Sequence, residues 1–151
     1  MSAMPSATAP AAARAQSFLA FDFGTRRVGV AVGNTLTALA RPLTTLALQG
    51  EARLAAIARL VDAWQPDALV VGVPFHPDGA EHDNTRQARA FGRRLRARFA
   101  LPVHEVDERY TTVEARAAGA ADLDAASAAL ILEQFLRTQR EAPLPSDHAA
   151  A

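Results

Sequence analysis

Three acidic positions stand where a carboxylate is costly or where it could act on a phosphate. Asp22 lies in the run FLAFDFG, between Phe21 and Phe23 and next to Gly24. A carboxylate in so apolar a strand is unfavourable unless a cation or a set of backbone amides pairs with it. A turn-forming Asp before Gly is the plainer alternative. Asp107, Glu108 and Arg109 follow the strand-like run VHEV. Adjacent acids at a strand end point to opposite faces, so only one of the two can share a site with Asp22. Asp124, in ADLDAASAALILEQFL, falls in the first turn of a helix, where the helix dipole alone explains an acid. Its small neighbours Ala125, Ala126, Ser127 and Ala128 would let that helix lie close to a sheet and bring Asp124 toward Asp22. Three oxygen ligands of this kind suit Mg²⁺ or Mn²⁺ rather than zinc. Two such ions about 4 Å apart can activate water and stabilise the leaving oxygen of a phosphodiester. His76, His82, His104 and His148 are scattered, with no zinc-ligand spacing among them.

A second group of residues suits binding. In TRQARAFGRRLRARF, helical spacing puts Ala88, Phe91, Leu95 and Phe99 on the buried face. Arg86, Arg89, Arg93 and Arg96 then fall within roughly 80° of arc on another face. Such a stripe can follow a phosphate backbone, although a solvated helix face is the simpler explanation. The preceding loop carries Asp78, Glu81 and Asp83, which offset part of the charge.

The elements that must position these residues follow from the hydrophobic pattern. Residues 18–23 and 28–32 form a hairpin of two strands across Gly24-Thr25. Residues 41–46 form a short third strand, and Pro42 places it at an edge. Residues 51–64 have helical spacing of Leu54, Ile57, Ala58, Val61 and Trp64. The continuously apolar run ALVVGV, residues 68–73, is a strand buried on both faces. A helix at 85–99, a last strand at 101–106, a short helix opened by the capping box Thr111-x-x-Glu114 and a final helix from Asp122 or Asp124 complete the chain. In that final helix, Leu130, Ile131, Phe135 and Leu136 face the core. Leaving out the short helix, the order β-β-β-α-β-α-β-α implies an α/β fold with a five-stranded mixed sheet and helices on both faces, a ribonuclease H-like topology.

The 151 residues suit one domain with a sizeable core, half of them apolar and a fifth charged. Net charge is zero, which argues weakly against a nucleic-acid partner. All 16 basic residues are arginine, a bias that GC-rich coding explains and that still supplies bidentate phosphate ligands. No cysteine is present, which excludes disulfides, thiolate zinc sites and cysteine catalysis and is compatible with the cytoplasm. No apolar run is long enough to span a membrane. Residues 1–16 lack the pattern of a secretory signal and read as a disordered tail, as do residues 138–151. The domain proper is expected at 17–137.

Four ordered stretches resemble the YqgF family, also called RuvX: FDFGTRRVGVAVGNTLTALARPL, VVGVPFHPDGAE, HEVDERYTTVEAR and DAASAALILEQFL. These are Holliday-junction-resolvase-like nucleases implicated in pre-16S rRNA processing, and the resemblance covers roughly residues 17–137. It implies a ribonuclease H-like fold with metal carboxylates at Asp22, Glu108 and Asp124, and so favours Glu108 over Asp107. Arg109 with Thr111 and Thr112 completes a D-E-R-x-T-T motif, which implies a phosphate contact for Arg109 and a helix cap for Thr111, and a loop of Gly72, Pro74, Asp78 and Gly79 is implied to border the site. One departure stands out. Only ARAAGAADL separates Glu114 from Asp124, with the single basic residue Arg116, where many relatives carry a longer lysine-containing loop.

The expectation is therefore a cytoplasmic, Mg²⁺- or Mn²⁺-dependent endonuclease, a monomer or homodimer, acting on rRNA precursor. The same chemistry on four-way DNA junctions is a close alternative. Nucleic-acid binding without catalysis is a third. The D-x-G-T pattern also occurs in actin-like and sugar-kinase ATPases, but those clamp nucleotide between two lobes and this chain has room for one.

Overall fold

The computed structural model describes residues 15–74, 82–107 and 123–141. Within them the strands are β1 (Ser17–Asp22), β2 (Val28–Asn34), β3 (Ala40–Leu46), β4 (Ala68–Val73) and β5 (Val103–Asp107). The helices are α1 (Gly50–Trp64), α2 (Asp83–Phe99) and α3 (Leu123–Glu141). The five strands make one sheet in the order β3-β2-β1-β4-β5. β1 pairs antiparallel with β2, and β2 with β3; β1 pairs parallel with β4, and β4 with β5. This is the expected mixed sheet, with Pro42 on an edge strand.

Strand alternation divides the core between the two faces of the sheet. Leu19 and Phe21 of β1 pack with Val28, Val30, Leu69 and Val71 against Ile57 of α1 and Phe91 and Leu95 of α2. Phe18 and Ala20 point the other way, with Val70 and Val106, against Ile131, Leu132, Phe135 and Leu136 of α3. Leu132 is fully buried in this second core, whereas Leu130, expected there, is only half-buried. Ala31 meets Ala128 and Ala129, so α3 crosses β2 on small side chains. The result is three layers, with α1 and α2 on one face and α3 on the other.

Two boundaries differ from expectation. The last strand begins at Val103 rather than Leu101 and runs through Asp107. Helix α3 runs to Glu141, so residues 138–141, expected within a tail, are helical. Thr138 Oγ1 donates to the carbonyl of Gln134 at 2.9 Å, within that last part of the helix. The capping box at Thr111 lies outside the described residues.

Candidate active site

β1 carries Asp22 to the end of the sheet, where Gly29 of β2 and Gly72 of β4 flank it in register. Neither of its cross-strand partners carries a side chain. Asp22 is half-buried and follows Phe18 and Ala20 in alternation, so it lies on the α3 face.

Asp124 reaches the same place by a different route. A Cβ built on Gly29 would stand 1.9 Å from the carbonyl oxygen of Asp124 and 2.8 Å from the amide nitrogen of Ala125. The first turn of α3 therefore rests directly on the backbone of β2, which only glycine at position 29 allows. Asp22 pairs with this same Gly29. Two acids far apart in sequence thus converge on one face at one end of the sheet. The small residues after Asp124 let α3 lie this close to β2.

Asp107 ends β5 opposite Val73, at the same end of the sheet and two strands from Asp22. Its carbonyl accepts a hydrogen bond from Gln134 Nε2 at 3.3 Å. Val106 packs on the α3 face, so alternation directs the Asp107 side chain to the other face. Glu108, Arg109, Thr111, Thr112, Asp78 and Gly79 lie outside the described residues. Among the described residues, no group of three His, Cys, Asp or Glu side chains is placed to hold a metal ion.

The arginine stripe forms on α2, but on the layer opposite Asp124. Arg86 pairs with Asp83 one turn away, and Arg89 Nε lies 3.4 Å from Glu105 of β5. Arg96 Nη2 donates to the carbonyl of Val103 at 3.3 Å. Arg93 is exposed. Much of the stripe's charge is therefore answered within the fold.

Sequence patterning missed a different set of basic groups. A cleft of about 500 Å³ is lined by Gly24, Thr25, Arg26, Arg27, Ala47, Gln49 and Asp124. Arg27 Nε lies 2.9 Å from Asp124 Oδ2. A Cβ on Gly24 would stand 2.6 Å from the carbonyl of Arg27, so the turn that presents both arginines also depends on a glycine. Below the cleft, Arg53 of α1 is buried. Its Nε donates to the carbonyl of Leu48 at 2.7 Å and its Nη2 to that of Thr25 at 3.2 Å, tying the two walls together. The signal for Arg26 and Arg27 was their place directly after the Gly-Thr turn that follows Asp22. Arg53 gave no signal, because an arginine in an amphipathic helix normally faces water.

Comparison with known proteins agrees with this architecture. The family model described as "RuvX: Holliday junction resolvase" matches residues 16–138. A protein of Polaromonas sp. (strain JS666), named "Putative pre-16S rRNA nuclease", is 67% identical over 123 residues, covering 82% of this chain and 89% of the relative. One of the same name from Paraburkholderia phytofirmans is 53% identical over 132 residues, covering 83% and 90%. Among solved structures, Thermus thermophilus RuvC in complex with a Holliday junction substrate superposes with a TM-score of 0.58 at 15% identity, covering 83% of this chain and 96% of that one. A second structure of Thermus thermophilus RuvC gives 0.52 at 14% identity, covering 82% and 96%. The fold is accordingly ribonuclease H-like, and the chain belongs to the RuvX family.

Proposed function

We propose that this chain is an endonuclease that hydrolyses phosphodiester bonds with a divalent cation held at Asp22 and Asp124, and that its substrate is a precursor of 16S rRNA. The observation that carries this is the convergence of the two acids through Gly29 on one face of the sheet. The donor set fits Mg²⁺ or Mn²⁺: it is all carboxylate oxygen, and the two strand positions paired with Asp22 are glycines. Glu108 is the third ligand in this proposal. Asp107 is directed to the face opposite Asp22, which disfavours it for that role. When bound, the cation supplies the charge that activates water and stabilises the leaving oxygen. Asp22 and Asp124 fix that charge at the sheet end, on rigid elements. Arg109 contributes a phosphate contact, and Arg86, Arg89 and Arg93 a weaker grip on more distant phosphates. The protein works in the cytoplasm, where rRNA is made; among the described residues no helix is long and apolar enough to cross a membrane.

The test is cleavage of a defined precursor RNA and a defined four-way DNA junction, with and without Mg²⁺, by wild type and Asp22→Asn. The expected outcome is RNA cleavage that needs Mg²⁺ and is lost in the variant. Unchanged cleavage by Asp22→Asn rejects the site. The family description favours one second substrate, the four-way DNA junction. Cutting a junction symmetrically calls for two sites, so preferential junction cleavage by a homodimer would select that substrate. A strictly monomeric protein counts against it.

A further inference from the structure

The ion pair between Arg27 and Asp124 conflicts with the use of Asp124 as a metal ligand, and the cleft beside it offers a resolution. In the free protein the guanidinium sits on Asp124 Oδ2 at 2.9 Å. A divalent cation at that carboxylate repels the guanidinium and competes for the same oxygen. The Arg27 side chain is 63% exposed, so it can leave without breaking a packed contact. The cleft it borders is also lined by Arg26, Thr25 and Gln49. Among the described residues, Arg26 has no carboxylate partner, unlike Arg86, Arg89 and Arg98, which pair with Asp83, Glu105 and Glu51. The cleft walls are held in shape by Arg53 through Thr25 and Leu48, and Gln49 Nε2 donates to the carbonyl of Arg26 at 3.4 Å. It is therefore a shaped, cationic channel that opens on the acid at the candidate site.

We propose that this cleft is the subsite for the nucleic-acid backbone next to the scissile phosphate, and that Arg27 exchanges partners there. Arg27 covers Asp124 in the free protein and moves to a backbone phosphate when Asp124 takes up its cation, while Arg26 holds the neighbouring phosphate. The exchange rests on the assignment of Asp124 as a cation ligand. It makes cation and nucleic acid bind cooperatively, each releasing a group the other needs, and the coupling is reciprocal.

The experiment uses the full chain and two binding readouts independent of cleavage. Mn²⁺ is titrated calorimetrically without nucleic acid. A fluorescein-labelled RNA oligonucleotide is titrated by anisotropy in Ca²⁺ and in EDTA. Arg27→Gln is expected to bind Mn²⁺ about three-fold more tightly, the scale of an exposed ion pair removed. It should bind the oligonucleotide about ten-fold more weakly in Ca²⁺, with little change in EDTA. Arg26→Gln should weaken oligonucleotide binding and leave Mn²⁺ affinity unchanged. The exchange is overturned if Arg27→Gln leaves both Mn²⁺ affinity and the Ca²⁺ dependence of RNA binding as in wild type while Asp124→Asn loses Mn²⁺ binding. If Asp124→Asn binds Mn²⁺ like wild type, the metal site itself is refuted, and the exchange with it.

Discussion

Arg53 is the only charged side chain that is nearly buried among the described residues, 6% exposed. Two backbone carbonyls accept from its guanidinium, and the rings of Phe23 and Phe91 lie 5.5 and 6.0 Å from it. Burial lowers its pKa from the usual arginine value, yet arginine stays charged in proteins, so the carbonyls and ring faces hold a cation. Arg53→Met keeps the bulk and removes the donors. It is expected to cost about 2 kcal/mol, read as a lower denaturation midpoint with an unchanged slope. An unaltered midpoint would mean the freed carbonyls find water at no cost. His104 gives a pH prediction. Its ring stacks on Phe135 at 5.0 Å, and burial, then the nearby Arg96, lower its pKa below the ordinary value of 6.5. The unfolded chain therefore takes up this proton more readily than the folded one. The contribution is constant well above the ordinary histidine pKa, and stability is lost as pH falls through it toward the lower folded value. His104→Gln should shrink the difference in Tm between pH 7.5 and pH 5.5. An undiminished difference would assign the acid sensitivity to other groups.

At the scale of elements, the site depends on how closely α3 can approach β2. The close approach at Gly29 seats the first turn of α3, and Ala31, Ala128 and Ala129 continue the contact along the helix. Gly29→Ala cannot be absorbed by a rotamer change, because the clash is with backbone. The start of α3 must shift, at about 1–3 kcal/mol, and Asp124 must shift with it. Cleavage by Gly29→Ala should fall about 100-fold, as expected of misplacement by about an ångström. Thermal unfolding and a cleavage time course on the same preparation check the two parts. Full activity in a protein destabilised to this extent would show that Asp124 does not act in the reaction.

At the scale of the molecule, charge is distributed rather than accumulated. The net charge of zero gives no general attraction to nucleic acid, so affinity must come chiefly from the cleft at Arg26 and Arg27 and from groups beside it. The α2 arginines lie on the opposite layer and are partly neutralised by Asp83 and Glu105. Three or four phosphate contacts would make the logarithm of the RNA binding constant fall against the logarithm of salt concentration with a slope of about −2 to −3. A slope steeper than about −5 would mean that the α2 stripe contributes more than the weaker grip proposed for it. A salt titration of oligonucleotide binding reads this directly.

The amino-acid sequence alone determined the class and order of the elements, because apolar spacing and turn residues are local properties. FLAFDF, VGVAV and ALVVGV read as strands of a buried sheet, and the Gly24-Thr25 turn made the first two a hairpin. It also marked Asp22, since an acid between two phenylalanines is anomalous wherever the strand lies. What it left open were relations between distant segments. That Asp124 rests on the strand beside Asp22 depends on a missing Cβ at Gly29, visible only once α3 is laid across β2. That Arg27 faces Asp124 while Arg86 and Arg89 are tied to local acids is likewise decided by which layer each helix occupies. Spacing along one element says which residues share its face. Only the packing of elements says what that face meets.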